Sequence, residues 1–216
     1  MAALPYYGSY ARFQAHSKKE GAALLGADNI IGAVCEIVFN TDKSGHTSVD
    51  VYNPFGANIG KIQGKEAEDL LVCKAKGWTM HAILVCTYYS EKPEPGNYWG
   101  EVALVCFPND DNATSFEAFT VAVAHMIGEG KRVDVDLAAK GIEQVVEHDG
   151  SWLPSGRVAK LDLEPGTAVI KDHMTASESL IEMSRARNKG CLVGGWLFII
   201  LLVVGAFFLI KGLFGF

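Results

Sequence analysis

The stretch Cys191 to Ile210 (CLVGGWLFIILLVVGAFFLI) carries no charge over about twenty positions, and at ~1.5 Å rise per residue a helix of that length spans a ~30 Å hydrocarbon core. A surface helix of a globular domain keeps a polar stripe, and this stretch has none. The sequence therefore predicts a transmembrane helix over 191–210, with Lys211 to Phe216 as a short tail beyond it. Arg185, Arg187 and Lys189 stand immediately before the apolar stretch and only Lys211 follows it, so the positive-inside bias orients the bulk of the chain toward the cytoplasm. Residues 1–28 lack the basic segment followed by an apolar one that marks a secretory signal. The expected arrangement is a tail-anchored, single-pass protein with the lipid bilayer as one partner.

With 216 residues and 49% hydrophobic content, the chain has material for a core even after the apolar stretch is set aside. Residues 1–190 hold 18 of the 19 basic groups and all 25 acidic ones, a balance that repels phosphate on average and leaves nucleic-acid binding to a local basic patch. The five cysteines (Cys35, Cys73, Cys86, Cys106, Cys191) are odd in number and include no CxxC pair, which points away from a disulfide framework or a zinc site.

Read in order, residues 1–28 form an N-terminal arm with a short helix expected from about Ser9 to Leu25. Ile30–Asn40 reads as a buried strand, Asp42–Gly45 as a turn, and Thr47–Tyr52 as the alternating partner of a hairpin. Asn53-Pro54-Phe55-Gly56 suits a type I turn ahead of a short strand, Asn58–Ile62. Gly64–Lys76 places Ala67, Leu70, Leu71 and Ala75 on one helical face, with Gly77 as its stop. The long apolar runs Thr79–Tyr89 and Tyr98–Phe107 predict an antiparallel pair across a Pro-rich loop.

Thr114-x-x-Glu117 has the form of a capping box ahead of a helix carrying Phe116, Phe119, Val123, Met126 and Ile127, which Gly128 and Gly130 end. Lys131–Leu137 alternates as a strand, and Ala138–His148 reads as an amphipathic helix. Val158–Leu163 and Ala168–Lys171 read as a hairpin across Glu164-Pro165-Gly166-Thr167, a type II turn. Thr175-x-x-Glu178 is a second capping box opening a helix toward the membrane. The expected fold class is α+β: a small twisted antiparallel sheet or barrel with a covering helix (29–108), an α+β segment packed on it (109–175), a juxtamembrane helix (176–190), the transmembrane helix and the tail (211–216).

From Val49 to Tyr89 the pattern resembles the second half of a HIRAN domain. The family's order of strand, Gly-x-x-hydrophobic-Gly-x-hydrophobic, helix and strand falls on Gly56, Ile59, Gly60 and Ile62, then on Ala67 and Leu70. The resemblance implies a small β-barrel, and in the family the known activity is capture of single-stranded DNA ends. The recognition stretch of the family, Asn-x-Tyr-Asp-x-Asn-Ala, aligns with Asp42 to Ser48, where its aromatic and acidic positions are Ser44 and Gly45.

Chemical motifs are sparse. Gly56-Ala57-Asn58-Ile59-Gly60-Lys61 is one residue short of a phosphate loop and is followed by Ile62, without the hydroxyl that would hold magnesium. The six histidines show no HExxH and no i, i+4 pair, and His125 reads as a partly buried helix residue. Asp134 and Asp136 share a strand face that alternation marks as solvent. Cys73 has no neighbour in sequence that would lower its pKa. No cofactor, metal or catalytic constellation is indicated. The chain reads first as a membrane-held binding or scaffolding module with a protein partner. The alternatives are a nucleic-acid-binding HIRAN-like module using Lys61, Lys65, Lys74 and Lys76 on phosphate, and a membrane-tethered enzyme with a nonstandard site.

Overall fold

The computed structural model describes residues 4–42, 45–156, 158, 159, 161–175 and 178, in two compact units, 1–174 and 175–216. Unit 1 is α+β and holds a seven-stranded sheet in which every neighbouring pair is antiparallel. The strands are β1 (Tyr7–Gln14), β2 (Val34–Thr41), β3 (Thr47–Tyr52), β4 (Asn58–Ile62), β5 (Thr79–Ser90), β6 (Asn97–Phe107) and β7 (Thr167–Lys171). Their order is β2-β3-β4-β1-β6-β5-β7, and a further pairing of Val34 and Cys35 with Ile83 and Ala82 closes the first six into a barrel. Closure removes sheet edges that would otherwise template pairing with another chain. β7 continues the sheet beside the far end of β5, from Thr87 to Ser90.

The helices are α1 (Lys18–Gly21), α2 (Lys65–Ala75), α3 (Ala113–Gly128) and α4 (Ala139–Glu147). β1 and β4 pair only at Phe13–Ile62 and Gln14–Lys61, and α2 contributes Ala67, Leu70 and Cys73 to the core. Leu71 and Ala75, expected on that buried face, are exposed; the i, i+3, i+6 stripe of Ala67, Leu70 and Cys73 is the one that meets the barrel. Gly77 stops the helix as expected, in the left-handed conformation (φ +71°), with Gly77 N–H donating to Lys74 and Trp78 N–H to Cys73. The buried face of α3 (Phe116, Phe119, Val123, Ile127) joins the same core, with Phe116 stacked on Phe107 and Tyr6. Each such side chain stabilises the fold by roughly 1.5–3 kcal/mol through burial.

The expected hairpin and the long antiparallel pair are present as β2–β3, in register from Glu36–Tyr52 to Thr41–Thr47, and β5–β6, from Thr79–Phe107 to Ser90–Asn97 with a register shift between Leu84 and Cys86. The strand read as buried over Ile30–Asn40 begins only at Val34 and is largely exposed, the buried Ile30 and Ile31 preceding it. Four further expectations are corrected. The helix anticipated over Ser9–Leu25 is strand β1 followed by α1 and a 3₁₀ turn, Ala22–Leu25. Ala11, Phe13 and Ala15 alternate into the core, and pairing with β6 along the whole strand outweighs the local helix preference of an Ala-rich segment. Lys131–Leu137 keeps its alternation, with Val133 and Val135 buried, but forms no strand and makes only an isolated bridge at Val133. Its carbonyls go instead to side chains: Tyr10 Oη donates to Val133 O (2.6 Å) and Tyr6 Oη to Val135 O (2.9 Å).

Val158–Leu163 forms no strand among its described residues, so the expected hairpin is replaced by β7 pairing with β5. The type II turn into β7 is as expected, with Gly166 at φ +87° and Thr167 N–H donating to Glu164 O. The Thr114–Glu117 capping box does not form: the N-cap of α3 is Asn112, two residues earlier, and Glu117 turns to His81 at 3.1 Å. In unit 2, Thr175 and Glu178 make the reciprocal bonds of the second box, Thr175 N–H to Glu178 Oε2 (2.9 Å) and Glu178 N–H to Thr175 Oγ1 (3.3 Å). The juxtamembrane helix beyond it, Arg185, Arg187, Lys189, the stretch 191–210 and the tail lie outside the described residues. Among the described residues no helix is long and apolar enough to cross a membrane.

Candidate functional site

One face of β1 and β6 forms the floor of a cleft of about 570 Å³. Arg12 lies opposite Glu101 and Gln14 opposite Trp99, so strand alternation puts these four side chains and Tyr10 on a single face. Lys61, Gln63 and Glu66 wall the cleft on the β4–α2 side; Lys92 and Pro93 of the β5–β6 loop and the segment Leu161–Glu164 wall it opposite. A smaller apolar pocket of about 70 Å³ adjoins it behind Leu161 and Leu163, lined also by Val85 and Ile127.

At the floor, Glu101 is 4% exposed and its carboxylate accepts two bonds from Arg132, Nη1 to Oε2 and Nη2 to Oε1 (3.0 Å). A bidentate pair supplies the countercharge that a buried carboxylate requires. The Arg132 guanidinium also lies 4.2 Å from the centroid of the Tyr10 ring. Burial pushes the Tyr10 hydroxyl up to about 12, and it stays a donor to Val133 O. The Cys86 thiol, 2.9 Å from Tyr88 Oη and 3.6 Å from Glu101 Oε2, is likewise pushed up to about 12 by burial. It is not a thiolate nucleophile.

Trp99 is held from three directions. Its ring stacks on Tyr88 across the β5–β6 pair (4.2 Å between centroids), Arg12 from β1 places its guanidinium 3.7 Å from the indole, and Nε1 donates to Ser90 Oγ (2.8 Å). Ser90 Oγ in turn lies 2.9 Å from Thr167 Oγ1 of β7. These contacts hold Arg12, which lines the cleft, against a fixed ring.

Of the four lysines singled out in the sequence, Lys61 lines the cleft and the other three have partners elsewhere. Lys65 Nζ pairs with Asp69 at 2.7 Å, Lys74 Nζ lies 4.4 Å over Phe39, and Lys76 Nζ lies 4.7 Å over Trp78. From sequence, Arg12 is only a cation beside the N-terminal tyrosines that could stack on bases; Gln14, Lys92 and Trp99 were not anticipated. The signal that places Arg12 and Gln14 together is the alternation Tyr10-x-Arg12-x-Gln14 within a segment read as helix. His125 is exposed, against the expectation of a partly buried ring, with Glu129 3.9 Å away. Cys73 and Cys106 are free thiols of the same core cluster; the neighbouring Cys106 draws the Cys73 thiol down, contrary to the expectation of no lowered pKa, and Cys106 is pushed up by Cys73 and by burial. No histidine hydrogen-bonds either thiol among the described residues, and no cluster of three or more metal-ligating side chains occurs there. Gly60 of the near-miss phosphate loop has a packing role: at φ +149°, a Cβ there would stand 2.5 Å from Gln14 O, so glycine permits the β1–β4 junction.

No protein-family model, no curated protein and no solved structure matches this chain.

Proposed function

We propose that the chain is a tail-anchored, single-pass membrane protein whose barrel is a cytosolic binding or scaffolding module, with the cleft over β1 and β6 as its binding face. The observation that carries the binding reading is the cleft itself. It is concave and of ligand size, and its one serine, Ser90, is engaged in structural contacts with Trp99 and Thr167. The anchor rests on the uncharged stretch Cys191–Ile210, and the orientation on Arg185, Arg187 and Lys189. A HIRAN-like barrel draws support from the closed six-stranded ring and from the tight β1–β4 junction at Gly60.

Nucleic acid is the weaker reading of the same cleft. Arg12, Lys61 and Lys92 favour it, but the two aromatic rings of the floor already stack, Trp99 with Arg12 and Tyr88, and Tyr10 with Arg132. The test of the main reading is topological. In intact cells, a cysteine introduced at exposed Glu94 is expected to react with an impermeant maleimide only after permeabilisation, and alkaline carbonate is expected to leave the protein in the membrane pellet. Labelling from outside would overturn the orientation, and release by carbonate would overturn the anchor.

A further inference from the structure

Six charged side chains line the cleft without an oppositely charged group within 4.0 Å among the described residues: Arg12, Lys61 and Lys92, and Glu66, Asp162 and Glu164. Glu101, the remaining acid of the lining, is neutralised by Arg132. Arg12 stands on the floor, Lys61 and Glu66 on the β4–α2 wall, and Lys92, Asp162 and Glu164 on the opposite wall, so the floor with the first wall is net positive and the opposite wall net negative. A site of one sign would select a simple ion. Separated charges of both signs select a ligand that carries both.

The positive part is the better organised. Arg12 is held on Trp99, and Trp99 is itself fixed by Tyr88 and Ser90, so the guanidinium is ordered at less cost than a free side chain. Gln14 and Lys61 are cross-strand partners, which sets an amide of the floor beside an ammonium of the adjoining wall. A fixed guanidinium with a second cation and an amide donor suits a tetrahedral phosphate oxyanion. The carboxylates of Asp162 and Glu164 across the cleft suit an ammonium group.

Building on the reading of this cleft as a ligand site, we propose that it binds a small zwitterionic phosphate ester, the phosphate on Arg12, Gln14 and Lys61 and the ammonium on Asp162 and Glu164. That chemistry occurs in soluble phosphoethanolamine and in the headgroup of phosphatidylethanolamine.

The test uses the full chain in neutral maltoside micelles, titrated calorimetrically with phosphoethanolamine, inorganic phosphate and ethanolamine, and separately with lysophosphatidylethanolamine mixed into the micelle. Phosphoethanolamine is expected to bind at least 10-fold more tightly than either fragment. Tighter binding of the lysolipid supports the site with a membrane source, and tighter binding of phosphoethanolamine supports it with a soluble source. Arg12→Gln is expected to weaken phosphoethanolamine at least 10-fold. Asp162→Asn with Glu164→Gln is expected to reduce it to the level of phosphate, each variant retaining the unfolding temperature of the parent. Equal affinity for phosphate and phosphoethanolamine, or no heat with any probe, would overturn the proposal. So would a single-stranded oligonucleotide that binds more tightly than either zwitterion. Membrane retention is read separately by carbonate extraction, so failure of the ligand assignment is distinguishable from failure of the anchor.

Discussion

Arg132 carries its guanidinium into the sheet to meet a carboxylate 31 positions away in sequence, and its Nε is buried with no hydrogen-bond partner. The pair therefore matters less for what it adds than for what either member costs when left alone. Removing the cation by Arg132→Met strands a buried carboxylate, and a loss of about 3–5 kcal/mol is expected in urea unfolding. The double variant Glu101→Gln, Arg132→Met, which buries no charge, is expected to recover most of that loss. A single-variant cost under ~1 kcal/mol would place the pair in the class of solvent-screened surface bridges and refute its burial. The same residues illustrate a limit of sequence reading. Glu101 sits in the apolar run YWGEVALVCF, which shows that a carboxylate lies in a strand but not that Arg132 will meet it there.

Among the elements, the segment 131–137 and strand β1 are each misread from sequence, and for related reasons. Alternation of Val133 and Val135 reports burial correctly, but the Tyr6 and Tyr10 hydroxyls take the carbonyls that a ladder would use. The approach is close enough that a Cβ on Gly8 would lie 1.8 Å from Val135 O and 2.7 Å from Tyr6 Oη. Gly8→Ala must therefore push the two backbones apart, and a loss of about 3 kcal/mol is expected, at the upper end of overpacking costs. Thermal unfolding of Gly8→Ala beside Ser9→Ala, a neighbour that is only half-buried, is the measurement. Equal stability of the two variants would mean that the segment does not lie against β1 as described.

At the scale of the molecule, residues 1–174 form one compact unit with a continuous core running from Ala11 to Val145. Deleting Cys191–Phe216 is expected to leave a soluble domain with a cooperative thermal transition within a few degrees of the full chain. Aggregation without such a transition would show that the apolar stretch supports the fold and does not merely tether it. Features that depend on neighbours in sequence were legible. The Thr175–Glu178 box, the Gly77 stop and the type II turn at Gly166 each close within a few residues, and β2–β3 and β5–β6 follow from apolar runs joined by short loops. Those strands, the buried face of α3 and the composition of the core were determined by the sequence, because hydrophobic periodicity acts locally. Barrel closure through Val34 and Cys35, the strand conformation of Tyr7–Gln14 and the gathering of Arg12, Lys61, Lys92 and Trp99 around one cleft were decided only by the tertiary structure. Each depends on pairing between segments far apart in the chain, and the free energy of such a pairing belongs to the partner as much as to the segment itself.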